Sequence, residues 1–145
     1  MCTILCSLVV GPGSVEWLRR LSIVPGLAGL PLAFVPFYTL SKYGKTVGRS
    51  YMSTAVLVDR GPYALVRHPQ YLAYILFVIV FVLQAQHPLV ASLGSFTALL
   101  FHRMAMREER SCARRFGGAY GDYARRVPRY NLAAGVYRWL RRKSS

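Results

Sequence analysis

Acidic residues are nearly missing from this chain. Glu16, Asp59, Glu108, Glu109 and Asp122 are the full set, against 19 Lys and Arg in 145 residues, for a formal net charge of +14. The only adjacent carboxylates are therefore Glu108-Glu109. Cysteine is sparse too: Cys2, Cys6 and Cys112 form no CxxC pair and no second cluster, which excludes a disulfide framework and a zinc site of the usual spacing. His87 and His102 have neither metal-ligand spacing nor a paired acid, so they read as structural and no metal is expected. The N-terminus lacks the positive n-region of a secretory signal, and Gly11-Pro12-Gly13 interrupts its apolar stretch. Met1–Val10 reads instead as an interfacial or partial membrane segment. Internal repeats and low-complexity tracts are absent, which excludes a repeat array.

What the chain has in abundance is apolar surface. Hydrophobic residues make up 54% of it, more than a soluble fold of this size hides easily. A pI near 10.5 suits a phosphate backbone as well, but apolar stretches as long as Tyr71–Gln86 argue against nucleic acid as the partner. The charge is segregated: the apolar runs are nearly free of it and the basic residues cluster between and after them. One domain over residues 1–145 is expected, an all-α polytopic membrane bundle with three full crossings, a fourth being open at the N-terminus. Apolar segments cover 21–40, 71–86 and 89–106, with a loop over 41–70 and a basic region over 107–145. The first matches the roughly 20 residues that cross a bilayer core. Pro25, Pro31 and Pro36 argue against a straight helix there, although membrane helices tolerate such breaks. His87-Pro88 is a turn signal that makes the second and third segments a helical hairpin.

Orientation follows from Lys and Arg. Lys42, Lys45, Arg49, Arg60 and Arg67 lie in the loop before the hairpin, and Arg107, Arg110, Arg114 and Arg115 open a basic region after it. The hairpin tip, Gln84–Pro88, has neither residue type. Both ends of the hairpin are expected on the cytoplasmic side and its tip outside. Arg19 and Arg20 then begin outside, against the usual bias.

Chemistry is expected where the chain enters the hairpin, at Arg67-His68-Pro69-Gln70-Tyr71. Gly61-Pro62 is a turn signal and Pro69 suits the first turn of the next helix. Ionisable groups at a membrane entry are costly and so are functional candidates. Each residue taken alone is explained by interface anchoring. A glycine turn, an Arg-His-Pro corner and a tyrosine together exceed what anchoring needs. Across the hairpin, Glu108-Glu109 serves either as an ion-pair latch or as a binding group for a cationic ligand, and spacing does not choose.

Gly61-x-Tyr63, Arg67-His68-Pro69-x-Tyr71, a hairpin, Glu108-Glu109, Phe116-Gly117, Tyr120, Tyr123 and Val127-Pro128, in that order, resemble the isoprenylcysteine carboxyl methyltransferase family. This family of membrane enzymes is loosely related to phospholipid N-methyltransferases, and the likeness covers roughly residues 40–129. The resemblance implies a methyltransferase with S-adenosylmethionine as cofactor, held in a pocket at the cytoplasmic face. It places the cofactor against Ala55, Val56, Leu57, Val58, Tyr63, His68, Pro69, Gln70, Tyr71 and Glu108, with Glu108 also in the catalytic set. A carboxylate and tyrosine faces suit a sulfonium and an ammonium. Met104 stands where the family has its substrate arginine, and Arg103 or Arg107 beside it would orient an anionic acceptor. His68 fits a cofactor hydrogen bond better than a general base.

The expected function is thus methyl transfer to a lipophilic acceptor entering from the bilayer, carboxyl O-methylation before phospholipid N-methylation. A non-catalytic membrane protein binding anionic lipid or a partner through its basic tail is the rival. Membrane lipids are the expected partners. Tyr120, Tyr123 and the Arg125–Arg129 cluster read as a juxtamembrane helix against anionic lipid.

Overall fold

The structure, a computed structural model, describes residues 15–44 and 56–143. The expectations for Met1–Val10, for Cys2 and Cys6 and for Ala55 lie outside the described residues. Those residues form helices α1 (Glu16–Leu21), α2 (Ile23–Tyr43), α3 (Pro69–Ala85), α4 (Pro88–Phe116), α5 (Gly118–Arg126) and α6 (Leu132–Lys143), with a 3-10 turn over Gly61–Ala64. No strand occurs among the described residues, as the all-α expectation requires.

Each apolar segment becomes a helix with shifted ends. The prolines leave α2 unbroken: Pro25 falls in its first turn, where an N–H would have no intrahelical partner. The interruption comes earlier, at Ser22, whose hydroxyl turns back to donate to the Arg19 carbonyl at 2.6 Å. The hairpin turn appears at the expected place. Gln86 takes φ +48°, Pro88 opens α4, and His87 Nδ1 accepts from the Leu89 N–H at 3.2 Å. His87 is thus a helix-end acceptor, the structural role expected of it. Helix α4 continues past its apolar run through a basic stretch and stops only at Gly117, where φ is +56°. Glu108 and Glu109 consequently sit on a helix.

The stretch Glu16–Tyr43 and helix α4 are each long and apolar enough to cross a membrane, with mean hydropathy 1.6 and 1.3. Their apolar windows are only 28% and 17% buried, unlike the core helix of a soluble protein. Phe34, Leu27, Phe96 and Leu99 are among the exposed side chains. Helix α3, at 17 residues, is shorter.

The described residues fall into two compact units. Unit 1 holds residues 15–31 and 71–105. Helices α3 and α4 meet at Gly94, where an added Cβ would lie 2.8 Å from Val82 Cγ2 and 3.1 Å from Val78 Cγ1. Its polar contacts gather near the hairpin tip. Gln86 Oε1 accepts from the Val15 N–H at 2.9 Å while its amide donates to the Val15 carbonyl at 2.8 Å. The Gln84 amide donates to Ser22 Oγ at 2.8 Å. Arg19 and Arg20 both pair with Glu16 at 3.2 Å, which offsets part of their charge at that end.

Unit 2 holds residues 32–44, 56–70 and 106–143. Its core is Tyr120, Tyr123 and Val127, packed against Leu57, Cys112, Phe116 and Ala124. This corrects the placing of Tyr120 and Tyr123 against lipid: they are 7% and 3% exposed, because α5 turns its aromatic face into the unit. Helix α6 docks through Gly135, where any Cβ would fall 1.9 Å from the Leu65 carbonyl oxygen. Only glycine allows that approach.

Candidate site around Glu109

Arg67 and His68 are fixed from both sides along the chain. Val66 and Pro69 are fully buried. Pro69 opens α3 without needing an N–H partner. The Arg67 N–H donates to the Pro128 carbonyl at 2.9 Å and the His68 N–H to the Arg129 carbonyl at 3.4 Å. These two backbone bonds lay the Arg67-His68 strip beside Pro128-Arg129, and the side chains of both converge on Glu109.

Glu109 is the hub. Arg129 grips it as a fork, Nε on Oε1 at 2.8 Å and Nη2 on Oε2 at 2.6 Å. Arg67 Nη1 reaches Oε1 at 3.1 Å, and His68 Nε2 reaches the same oxygen at 3.2 Å. A carboxylate only accepts, so His68 Nε2 carries the proton and donates. Burial pushes the His68 pKa down to about 4, against the upward pull of the Glu109 carboxylate. The ring is neutral at pH 7. Hydrogen bonding to Glu109 holds the Arg129 guanidinium above its ordinary range. Two guanidinium charges therefore share one carboxylate, leaving the cluster cationic by one unit.

Beside the hub lies a cavity of about 70 Å³, walled by Leu40, Leu57, Val58, Tyr63, Phe116 and Tyr120. Arg67, His68, Glu108, Cys112 and Tyr123 also line it. The Tyr123 hydroxyl donates to the Tyr63 carbonyl at 2.8 Å, pinning the 3-10 turn to α5. Burial pushes the Tyr120 phenol up to about 12 and raises that of Tyr123 further, so both remain hydroxyl donors near neutral pH. Arg67 Nε is buried and has no hydrogen-bond partner among the described residues. The arrangement offers a small, mostly aromatic and aliphatic recess with a few hydrogen-bond donors and one carboxyl group.

Of the expected site residues, Leu57, Val58, Tyr63, His68 and Glu108 come together at this cavity. Val56 lines a different cavity, of about 310 Å³, with Tyr43, Asp59 and Arg60. Pro69 and Gln70 are buried in the first turn of α3. Tyr71 belongs to unit 1, where its ring lies 6.4 Å from Tyr74 and 6.2 Å from Phe101. Arg103 and Arg107 are exposed on α4. Of the two roles open to Glu108-Glu109, Glu109 takes the ion-pair latch. The partner that sequence reasoning missed is Arg129, which had been grouped with lipid-facing arginines. The pointer available was Val127-Pro128 just before it, a buried residue and an extended corner that turn the chain back toward Arg67.

Residues 35–137, more than half of the chain, match the ergosterol biosynthesis ERG4/ERG24 family. The mouse (Mus musculus) Delta(14)-sterol reductase TM7SF2 is 37% identical over 84 residues, which cover 56% of this chain and 20% of the relative. The chain thus spans about a fifth of that relative's length. No solved structure matches it. These matches overturn the isoprenylcysteine carboxyl methyltransferase resemblance. The methyltransferase activity, the S-adenosylmethionine cofactor and both the carboxyl and phospholipid N-methylation readings fall with it. Glu108, the carboxylate given to the cofactor, does line the cavity, while Glu109 beside it is taken up by two arginines; a carboxyl group and tyrosines at such a recess do not by themselves select methyl transfer.

Proposed function

We propose, from the premise that the chain belongs to the ergosterol biosynthesis ERG4/ERG24 family, that it is a membrane-embedded reductase-type domain acting on a carbon–carbon double bond of a sterol-like lipid. The observation that carries the reading is the cavity beside the Glu109 hub, which lies within the matched residues 35–137. Reducing such a bond adds a hydride to one carbon and a proton to the other. When bound, a reduced nicotinamide dinucleotide supplies the hydride. The cavity's aromatic and aliphatic walls and the Arg67 Nε–H suit one planar, polar-edged ring. At about 70 Å³ it is well below the roughly 300–1,000 Å³ of a full ligand pocket, so it takes one end of a ligand.

The chain's own residues have separate tasks in this proposal. Leu57, Val58 and Phe116 exclude water, and Tyr63 and Tyr120 present flat faces and hydroxyl donors. The Tyr120 hydroxyl, its pKa raised to about 12 by burial, holds a proton at the cavity, and Glu108 supplies the cavity's carboxyl group. His68, neutral and committed to Glu109, positions Arg67 rather than exchanging protons itself. Helices α2, α3 and α4 are proposed as the crossings, with residues 41–70 and 107–143 on the cytoplasmic side, where Lys and Arg gather.

The test uses membranes containing the full chain, a reduced nicotinamide dinucleotide and a Δ14-unsaturated sterol. Mass spectrometry is expected to find a sterol heavier by two hydrogens, and Glu108→Gln is expected to reduce its yield at least tenfold. Membranes that neither reduce the sterol nor bind it saturably would overturn the proposal.

A further inference from the structure

The last helix of unit 2 has one face in use and another that no described residue covers. Gly135 sits against Leu65, and the neighbouring positions Leu132 and Trp139 are partly covered. Ala133, Val136, Tyr137 and Leu140 follow the i, i+3, i+4, i+7 spacing of a single helical stripe. That stripe is open: Val136, Tyr137 and Leu140 are 38%, 64% and 54% exposed. Arg138 and Arg141 stand exposed on the polar side, and the helix carries no acidic residue.

We infer that α6 is an interfacial helix, its Val136-Tyr137-Leu140 stripe lying in the headgroup layer of an anionic membrane with Arg138 and Arg141 facing the lipid phosphates. The occupant follows from charge and setting. A chain of net charge +14 with long, poorly buried apolar helices already has a bilayer as its surroundings. An exposed apolar stripe bordered by arginines is the pattern that lies along such a surface. The tyrosine has the apolar body and polar tip that suit the headgroup level. Basic residues add attraction to anionic lipid, about 1 kcal/mol each near the surface, or roughly fivefold in partitioning. The sequence placed this contact on Tyr120 and Tyr123. Those side chains are buried, and the open amphipathic face belongs to the next helix.

The inference rests on the membrane setting and not on the reductase chemistry, so it is tested without an activity assay. The full chain, with Cys2, Cys6 and Cys112 replaced by serine, carries a nitroxide at Tyr137→Cys, Leu140→Cys or Arg138→Cys and is reconstituted in phosphatidylcholine vesicles with or without phosphatidylserine. Collision with oxygen, enriched in the acyl region, is compared with collision with an aqueous nickel chelate. With phosphatidylserine, labels at 137 and 140 are expected to favour oxygen and the label at 138 nickel. Arg141→Gln is expected to lower the inserted share at 137 about fivefold. Three results would overturn the inference: nickel access at 137 and 140 equal to that at 138, shielding from both probes as a protein partner would give, or the same values without phosphatidylserine. A control label at Leu99→Cys, on the exposed face of α4, separates the causes. If it too favours nickel, the membrane setting itself has failed.

Discussion

In unit 1 the helices meet through glycine and branched aliphatic side chains, Gly94 against Val78 and Val82, and the hydrogen-bonded glutamines are kept near the hairpin tip. In unit 2 the order is reversed: Glu109, Arg67 and His68 are all less than 15% exposed and the chain is laid around them. The difference concerns what a single substitution removes. Apolar packing loses contacts and gains a cavity or a clash, at a cost that scales with volume. A buried ionic hub loses the compensation for charges that stay behind, and those charges have no water to turn to.

The largest effect is therefore expected at the hub. Glu109→Ala leaves Arg67 and Arg129 facing each other, a loss of about 3–5 kcal/mol for a broken buried pair. The lower end applies, since the Arg129 side chain is 32% exposed and part of its charge is already hydrated. Thermal unfolding in detergent measures it. A melting temperature within a degree or two of wild type would mean that unit 2 is held by its apolar core, as unit 1 is.

Next in size is a pH effect confined to unit 2. His68 titrates at about 4 in the folded chain and near 6.5 when unfolded. Between those values the unfolded chain binds more protons, so stability is complete above 6.5 and falls as the pH drops toward 4. The full loss is on the order of 3 kcal/mol. Melting curves across this window should slope for the wild type and flatten for His68→Asn. In unit 1, Gly94→Ala is expected to cost about 1–3 kcal/mol with no pH dependence, because the added methyl has to displace Val82.

Much of this contrast was legible in the sequence. The alternation of apolar runs with basic stretches located α2, α3 and α4, and His87-Pro88 located the turn between the last two. Their ends were less legible, since α4 continues for as long as its charged residues favour a helix and stops at a backbone feature, Gly117. The Arg67-His68 corner is legible from the residues themselves, whereas Leu57, Val58, Tyr63 and Glu108 are grouped with it only through the methyltransferase resemblance that the family match overturns. Which carboxylate forms the ion-pair latch is beyond the reach of spacing. Glu108 and Glu109 are adjacent on α4 and point about 100° apart, so the choice between them depends on where Arg129 returns. The chemistry went wrong for a related reason: an Arg-His-Pro corner records how a chain enters an apolar helical hairpin, and unrelated reactions can be built on that entry.

The smallest expected effect decides whether charge is what sets unit 2 apart. Tyr123→Phe removes a hydroxyl that donates to the Tyr63 carbonyl at 2.8 Å and leaves the ring in the core. A neutral hydrogen bond is worth about 1 kcal/mol net, with somewhat more lost if the carbonyl stays dry. The substitution also frees the 3-10 turn that carries Tyr63 into the cavity, so ligand affinity should weaken along with stability. Combined with Glu109→Ala, the two losses should add, because they share no hydrogen-bond partner. A cost for Tyr123→Phe as large as that for Glu109→Ala would place the strength of unit 2 in its buried tyrosines. Additive losses of about one and at least three kcal/mol would place it in the ion pairs.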